Sequence, residues 1–413
     1  MADETWTIKR CLEWTKNYLA EHGEEHPRVS AEWLLCSALG LERIDLYMRM
    51  NDPLDAAALE TMHASVVRRA KGEPLQYITG STQFRMIEVA CVPGVLIPRP
   101  ETELLVEEVL KYLDAEVLGE HAPKRQRVEL PWNAEVEEQR RADLALAEER
   151  ATAARRAQNL TAADEAALGA DVLGSRAYAE ELADREAAQA GAGAEADEEP
   201  SELDGSTVDE ADAAPEAVEE TGAATPEEPA CARVLEVGCG TGCISLSLAW
   251  ERRDRVKCLA TDIEPRAVEL ATKNRDSLGL TKNDAAFILT NLVSAVPRRL
   301  WGTFDVLVSN PPYIPTDVMR SLPHEVKDFE PSLALEAGDD GLDVFRRLLK
   351  AAPFMLRAGG LFACELYEGA LDAAAALCRE AGLDNVRIVH DLAERPRMVL
   401  ATAEHPKTVD QLS

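Results

Sequence analysis

The sequence has no C-x-x-C pair, no apolar run near the length of a membrane helix, and no long basic cluster. Nine cysteines stand singly along 413 residues. An odd number at such spacing, in a chain this long, argues against a disulfide framework or a zinc site, so no metal is expected. The expectation is reduced, mostly buried thiols in a cytoplasmic protein. A membrane helix needs about 20 consecutive apolar residues, and no stretch approaches that. Met1-Ala2-Asp3-Glu4 does not begin a basic region followed by an apolar run, so no signal peptide is expected. Arg68-Arg69-Lys71 and Arg252-Arg253 are short basic clusters against 75 acidic and 44 basic residues, a formal charge of −31. That balance speaks against a duplex DNA binder, which holds phosphates with lysine and arginine.

The charge is uneven. Residues 115–230 carry −20 of it, and between Arg185 and Arg233 there is no lysine or arginine at all. The part from about Val136 to Ala190 is rich in Ala, Glu and Arg and predicts solvated helix. Residues 191–230 hold 14 acidic residues among Ala, Gly, Pro, Ser and Thr. Such a stretch buries too little apolar area to offset its ordering entropy and is expected to be disordered. The segment reads as a tolerated insertion, because each doubling of a flexible loop costs only about 0.6 kcal/mol.

Either side of it the pattern is that of folded protein. At 413 residues the chain suits two or three domains. Residues 1–72 predict a small helical bundle. Ile8, Leu12, Thr15 and Leu19 recur at helical spacing before Gly23. Ser30 is expected to cap a second helix ending at Gly40, and a third runs from about Leu54 to Ala70. Residues 73–93 predict a hairpin link from Tyr77-Ile78-Thr79, Phe84-Arg85-Met86 and Val89–Val92. Residues 94–114 and 231–405 form the main domain, with a helix after Glu101 and then alternating strands and helices. The strands are expected at Arg233–Val237, Val256–Thr261, Ala286–Leu289, Phe304–Ser309 and Leu361–Glu365, with Val386–His390 and Met398–Thr402 as an antiparallel pair. The fold class is therefore α/β, a mainly parallel sheet with helices on both faces and ligands beyond the carboxyl ends of the strands. Residues 406–413 are a tail.

Two motifs carry chemistry. Glu236-Val237-Gly238-Cys239-Gly240-Thr241-Gly242 lies on a strand, a tight turn and a helix start. Glycine there lets backbone turn and approach a ligand. The spacing is neither the dinucleotide fingerprint nor a P-loop. Asp262, at the end of the next strand, can hold both ribose hydroxyls of a nucleoside. A ribose-bearing ligand without a required pyrophosphate contact fits S-adenosylmethionine. The second motif is Asn310-Pro311-Pro312-Tyr313, directly after an apolar strand. The Asn310 side-chain oxygen and the Pro311 carbonyl can accept both N–H bonds of a planar –NH2 group, and Tyr313 offers a face to stack on it.

With both motifs the chain resembles class I (Rossmann-like) methyltransferases that modify planar nitrogens. The wider resemblance is to the peptide chain release factor glutamine methyltransferases, the HemK/PrmC family. It runs through Gly72–Gly80, Pro93–Glu103 with its Pro98-Arg99-Pro100-Glu101-Thr102-Glu103 stretch, Asn310–Pro315, Glu330-Pro331 and Gly341-Leu342-Asp343. It implies an N-terminal helical bundle that helps bind a protein substrate, a β-hairpin link and a catalytic domain. It also implies methyl transfer from S-adenosylmethionine to the glutamine side-chain nitrogen in the Gly-Gly-Gln loop of release factors. The residues assigned to the cofactor are Glu236, Gly238, Cys239, Gly240, Thr241, Gly242, Asp262, Asn291, Leu292 and Asn310. Those assigned to the reaction are Asn310, Pro311, Pro312 and Tyr313.

The chain departs from the family pattern at Asn291-Leu292, where an acidic residue often precedes the adenine-packing position. It departs again at Glu365-Leu366-Tyr367, where Glu-Ile-Gly is usual. A DNA adenine-N6 or RNA guanine-N2 methyltransferase could use the same Asn-Pro-Pro-Tyr site, but each is expected to need a basic groove. A non-catalytic binding protein on the same fold is disfavoured by two intact motifs. His324 is read as a surface residue, Glu330 and Asp340 as structural. A monomer is expected, without membrane or direct nucleic-acid partners.

Overall fold

Thr7 accepts the Arg10 N–H with its hydroxyl and opens the first helix, α1 (Ile8–Glu21). Ile8, Leu12, Thr15 and Leu19 are its buried stripe, as their spacing predicts. The computed structural model describes residues 5–119 and 231–407. The expectations for the acidic segment over 120–230 and for the tail beyond 407 lie outside the described residues. Helices α2 (Pro27–Leu39), α3 (Arg43–Met48) and α4 (Ala56–Ala70) complete the bundle. Its core joins Ile8, Leu19, Leu34, Leu35, Leu46, Met62 and Val66.

Two local expectations need correction here. Ser30 is not a cap: Pro27 already starts α2 a turn earlier, and the buried Ser30 hydroxyl donates to Glu24. Tyr77-Ile78-Thr79 is not a strand but part of a one-turn helix, α5 (Leu75–Thr79). Pro74 offers its carbonyl to the Tyr77 and Ile78 N–H groups, and Gly80 ends the turn in the left-handed region. This turn sends Tyr77 inward, where its hydroxyl donates to the Val95 carbonyl at 2.7 Å. The hairpin follows as β1 (Ser81–Phe84) and β2 (Ile87–Ala90), with Arg85-Met86 as the turn. The Arg85 guanidinium pairs with Glu251 at 2.6 Å and Glu107 at 3.0 Å, which pins the hairpin to the main domain.

Helix α6 (Pro100–Glu116) starts with proline in its first turn. It runs past residue 114, and Val117 and Leu118 are buried beside Leu113, so the folded core extends into the first residues assigned to the insertion. The main sheet has seven strands in the order β5-β4-β3-β6-β7-β9-β8. They are β3 (Ala232–Val237), β4 (Val256–Asp262), β5 (Ala285–Leu289), β6 (Phe304–Ser309), β7 (Leu356–Glu365), β8 (Asp384–His390) and β9 (Pro396–Ala403). The first five are parallel, and β9 is antiparallel to both β7 and β8.

Alternate residues feed two cores. Val234, Val306 and Val308 face α6 and the helix Cys243–Glu251. Leu235, Leu259 and Leu307 face the helices Asp343–Met355 and Leu371–Glu380. This is a Rossmann-like, doubly wound sheet, as the resemblance implies. Its order reverses between β3 and β6, so the loops leaving those two strands diverge and open a crevice there. The glycine motif follows β3 and Asn310 follows β6. Val237 and Ser309 are register partners, and the Ser309 hydroxyl donates to the Val237 carbonyl at 2.6 Å.

Candidate active site

The glycine loop is held from below and open above. The Gly238 and Cys239 N–H groups donate to the Thr261 carbonyl, tying the loop to the end of β4. Gly238, Gly240 and Gly242 all have positive φ. They differ in what surrounds them. A Cβ on Gly242 would press on Ala271, Leu246 and Phe287, so that glycine is needed for helix packing. A Cβ on Gly238 would meet nothing within 4 Å, the open side a ligand would use. Cys239 and Thr241 are buried, so the loop offers a ligand their backbone rather than their side chains.

Asp262 stands at the carboxyl end of β4, as the motif predicts. One carboxylate oxygen accepts the Gly240 N–H at 2.8 Å and the other the Glu264 N–H at 2.9 Å. Burial pushes its pKa up, against the pull of these backbone donors. Each oxygen keeps a lone pair for a ribose hydroxyl. Glu236 is fully buried under the loop. One oxygen accepts from the Ser245 N–H at 3.0 Å and from the Ser245 hydroxyl, while Oε1 has no partner. The carboxyl thus caps the helix Cys243–Glu251 and leaves one orphaned acceptor under the glycine loop. The open face at Gly238, the ribose-height carboxylate at Asp262 and the orphaned Glu236 oxygen together fit S-adenosylmethionine.

Burial pushes the Glu236 carboxyl up to about 8, helped by the Asp262 charge and opposed by Ser245. A carboxyl raised on folding contributes stability below its unfolded pKa, near 4.3, and loses it as pH rises through the folded value. Glu236→Gln should therefore flatten the fall in melting temperature between about pH 4 and about pH 8. Some slope remains, because Glu365 is also raised, to about 7. Parallel melting curves for the two proteins would refute this assignment.

Asn291 and Leu292, expected at the adenine, lie just past β5. The Asn291 oxygen accepts from Arg347 at 2.8 Å, a partner that the sequence did not suggest. Leu292 has a positive φ and packs against the sheet core.

On the acceptor side Asn310 and Tyr313 line a cavity of ≈ 110 Å³ with Arg99 and the apolar side chains of Leu96, Ile314 and Leu322. Pro311 is buried and Pro312 half-buried. The Tyr313 and Ile314 N–H groups both donate to the Leu335 carbonyl, which fixes the loop. Gly341 lies against the Tyr313 carbonyl so closely that any Cβ would overlap it. That explains the glycine of Gly341-Leu342-Asp343 in physical terms. Burial and the neighbouring Glu365 carboxylate push the Tyr313 phenol up, so it stays neutral and cannot act as a base.

The Pro98–Glu103 stretch supplies groups that motif reading did not assign. Arg99 pairs with Glu330, at 2.6 and 2.7 Å, across one wall of the cavity. Thr102 accepts from Asn310 at 3.0 Å and donates to Glu365 at 2.8 Å. Their signal in the sequence was the specific Pro-Arg-Pro-Glu-Thr-Glu string, whose partners lie more than two hundred residues away. After Glu365, Tyr367 has φ −62 and ψ 135, ordinary backbone that requires no glycine. His324 faces outward, paired with Asp328 at 2.9 Å and packed by Gly72, as its surface reading predicts. Asp340 pairs with Arg346, also a structural role.

The chain matches the PrmC N-terminal domain family over residues 10–80 and the Methyltransferase small domain family over residues 223–322. It is 30% identical over 397 residues to the release factor glutamine methyltransferase of Moorella thermoacetica, covering 96% of this chain and 98% of that one. The corresponding protein of Geobacter sulfurreducens is 29% identical over 364 residues, 88% of this chain and 85% of the relative. That of Cereibacter sphaeroides is 41% identical over 170 residues, 41% and 59% of the two chains.

Proposed function

The chain belongs to the release factor glutamine methyltransferase family, and from that premise we propose that its crevice between β3 and β6 carries the reaction. The protein is an S-adenosylmethionine-dependent methyltransferase that methylates a release factor glutamine. The substrate glutamine enters the cavity beside Asn310 with its methylene stem against Leu96 and Ile314. Asn310 Oδ1 and the Pro311 carbonyl accept the two N–H bonds of its amide, and Tyr313 covers the plane.

The Gly238–Gly242 backbone and Asp262, with Asn291 and Leu292 at the adenine, would hold the cofactor, which would supply an electrophilic methyl from its sulfonium and leave as a neutral thioether. The amide nitrogen is a poor nucleophile because its lone pair is delocalised. Fixing both hydrogens aims that lone pair at the methyl, and proximity supplies much of the rate. Once methylated, the glutamine nitrogen would lose its extra proton to water. No side chain is needed as base, in keeping with a neutral Tyr313 and an outward His324.

The observation that carries the site assignment is Asn310 and Tyr313 lining one cavity together with the apolar side chains of Leu96, Ile314 and Leu322. The Gly-Gly-Gln loop as the docking element and a cytoplasmic setting belong to the same proposal. Among the described residues no helix is long and apolar enough to cross a membrane. The test is transfer of labelled methyl to a release factor with an intact Gly-Gly-Gln loop, to one with that glutamine changed to alanine, and to DNA and RNA in parallel. Label on the intact release factor alone is expected. Label on nucleic acid, or on the alanine variant equally, would overturn the assignment.

A further inference from the structure

Asn310 meets its acceptor with one end of a nearly symmetric amide, and only the oxygen end can hold an amine there. An –NH2 end in the same place would set donor against donor. The Asn310 Nδ2 group donates to Thr102 Oγ1 at 3.0 Å. Thr102 gives its single hydroxyl proton to Glu365 Oε2 at 2.8 Å. The other carboxylate oxygen accepts from the Tyr313 hydroxyl at 3.3 Å. Thr102 and Glu365 are each 2% exposed, so water does not compete for these bonds.

An ionised carboxylate can only accept. It claims the Thr102 proton, which leaves Thr102 Oγ1 with lone pairs alone toward Asn310, and only an N–H end can face them. The direction of every bond in the chain follows from the carboxylate at its end. We propose that Thr102 and Glu365 are positioning residues that set the Asn310 amide with its oxygen toward the methyl acceptor. The same carboxylate orients the Tyr313 hydroxyl, so one buried group sets two walls of the site. This deepens the reading of the cavity as the glutamine site and rests on it for its activity readout.

The charged and titratable groups facing Glu365 are Glu101 on α6, Tyr313 on the loop after β6, Arg397 on β9, the buried Cys243 thiol at the start of the helix after β3 and, beside it on β7, the buried Cys364 thiol. Burial pushes the Glu365 carboxyl up to about 7; Glu101 adds to the rise, and Thr102, Tyr313 and Arg397 oppose it. Once protonated, the carboxyl can donate to Thr102, which reverses the chain and frees the Asn310 amide to turn. Turnover should therefore rise with pH through about 7.

The test uses the full chain as wild type, Thr102→Val, Thr102→Ser and Glu365→Gln. Methyl transfer to release factor is measured across pH. The Asn310 side-chain NH2 resonance, assigned by its loss in Asn310→Ala, is followed in parallel. Thr102→Val should lower kcat about ten- to a hundredfold with cofactor affinity near wild type, and should lower the melting temperature because two buried partners lose their hydrogen bonds. Thr102→Ser should restore it. The Asn310 resonance should shift with a midpoint near pH 7 in the wild type and stay still in Glu365→Gln. Wild-type kcat in Thr102→Val, or a resonance indifferent to pH and to both substitutions, overturns the proposal. If the wild type methylates no release factor, the functional reading falls, and the resonance still decides the positioning. If Thr102→Val does not fold, the wild-type titration and Glu365→Gln decide it.

Discussion

Asn310→Ala is expected to bind S-adenosylmethionine nearly as well as the wild type and to lose methyl transfer by about a hundredfold or more. The side chain ends a buried chain of hydrogen bonds through Thr102 to Glu365, so its loss leaves a hole no neighbour fills in the same geometry. On the proposed reading, truncation removes the side-chain oxygen that accepts from the substrate amide. The Pro311 carbonyl alone fixes one N–H bond and leaves the amide free to rotate about it. The glycine loop and Asp262 hang on β3 and β4, not on Asn310, so the cofactor side is undisturbed. Single-turnover transfer to release factor, with calorimetric titration of the cofactor, separates the two effects. Turnover near wild type would rule out Asn310 as the orienting group.

Asp262→Ala is expected to show the opposite split. Cofactor affinity should fall by roughly 1.5–3 kcal/mol, because a charge-assisted hydrogen bond to the ribose is lost. A second effect adds to this. The Asp262 carboxylate also receives the Gly240 and Glu264 N–H groups, so the variant frees the middle of the glycine loop. Asp262→Asn keeps one acceptor and should fall between the two. At saturating cofactor, turnover of Asp262→Ala should recover most of its wild-type value, since Asn310 and Tyr313 are untouched. Unchanged affinity by calorimetry would refute the ribose assignment.

Much of the fold was legible because its signals are local. The apolar strand Phe304–Ser309 and the strand Val256–Asp262 fall where β-prone runs end at polar turns. The bundle helices α1 and α4 announce themselves by apolar spacing. The helix Leu371–Glu380 was not expected, although Leu371, Ala374, Ala375 and Cys378 form its buried face. A strand was expected at Tyr77-Ile78-Thr79 because aromatic and β-branched residues favour strands. There the fixed φ of Pro74, the left-handed Gly80 and the buried hydroxyl of Tyr77 overrule propensity.

The site divides along the same line. The sequence by itself determined the α/β class, the tight glycine turn after β3, the carboxylate ending β4 and the rigid Asn310-Pro311-Pro312-Tyr313 corner. Each is set by sterics and hydrogen bonds within a few residues, so spacing alone reveals it. Only the tertiary structure decided what holds those residues in place. Strand order set β3 beside β6, and register put Val237 next to Ser309. Packing of α6 over the sheet carried Thr102 to Asn310 and Glu365, and the bend at Gly341 brought it under Tyr313. It also set the Glu236 carboxyl, on β3, as the cap of the helix Cys243–Glu251, leaving one oxygen alone beneath the loop. A hydrogen bond between residues more than two hundred positions apart leaves no periodic trace in the chain. Its geometry exists only once the strands have taken their order and the two cores have closed on either face.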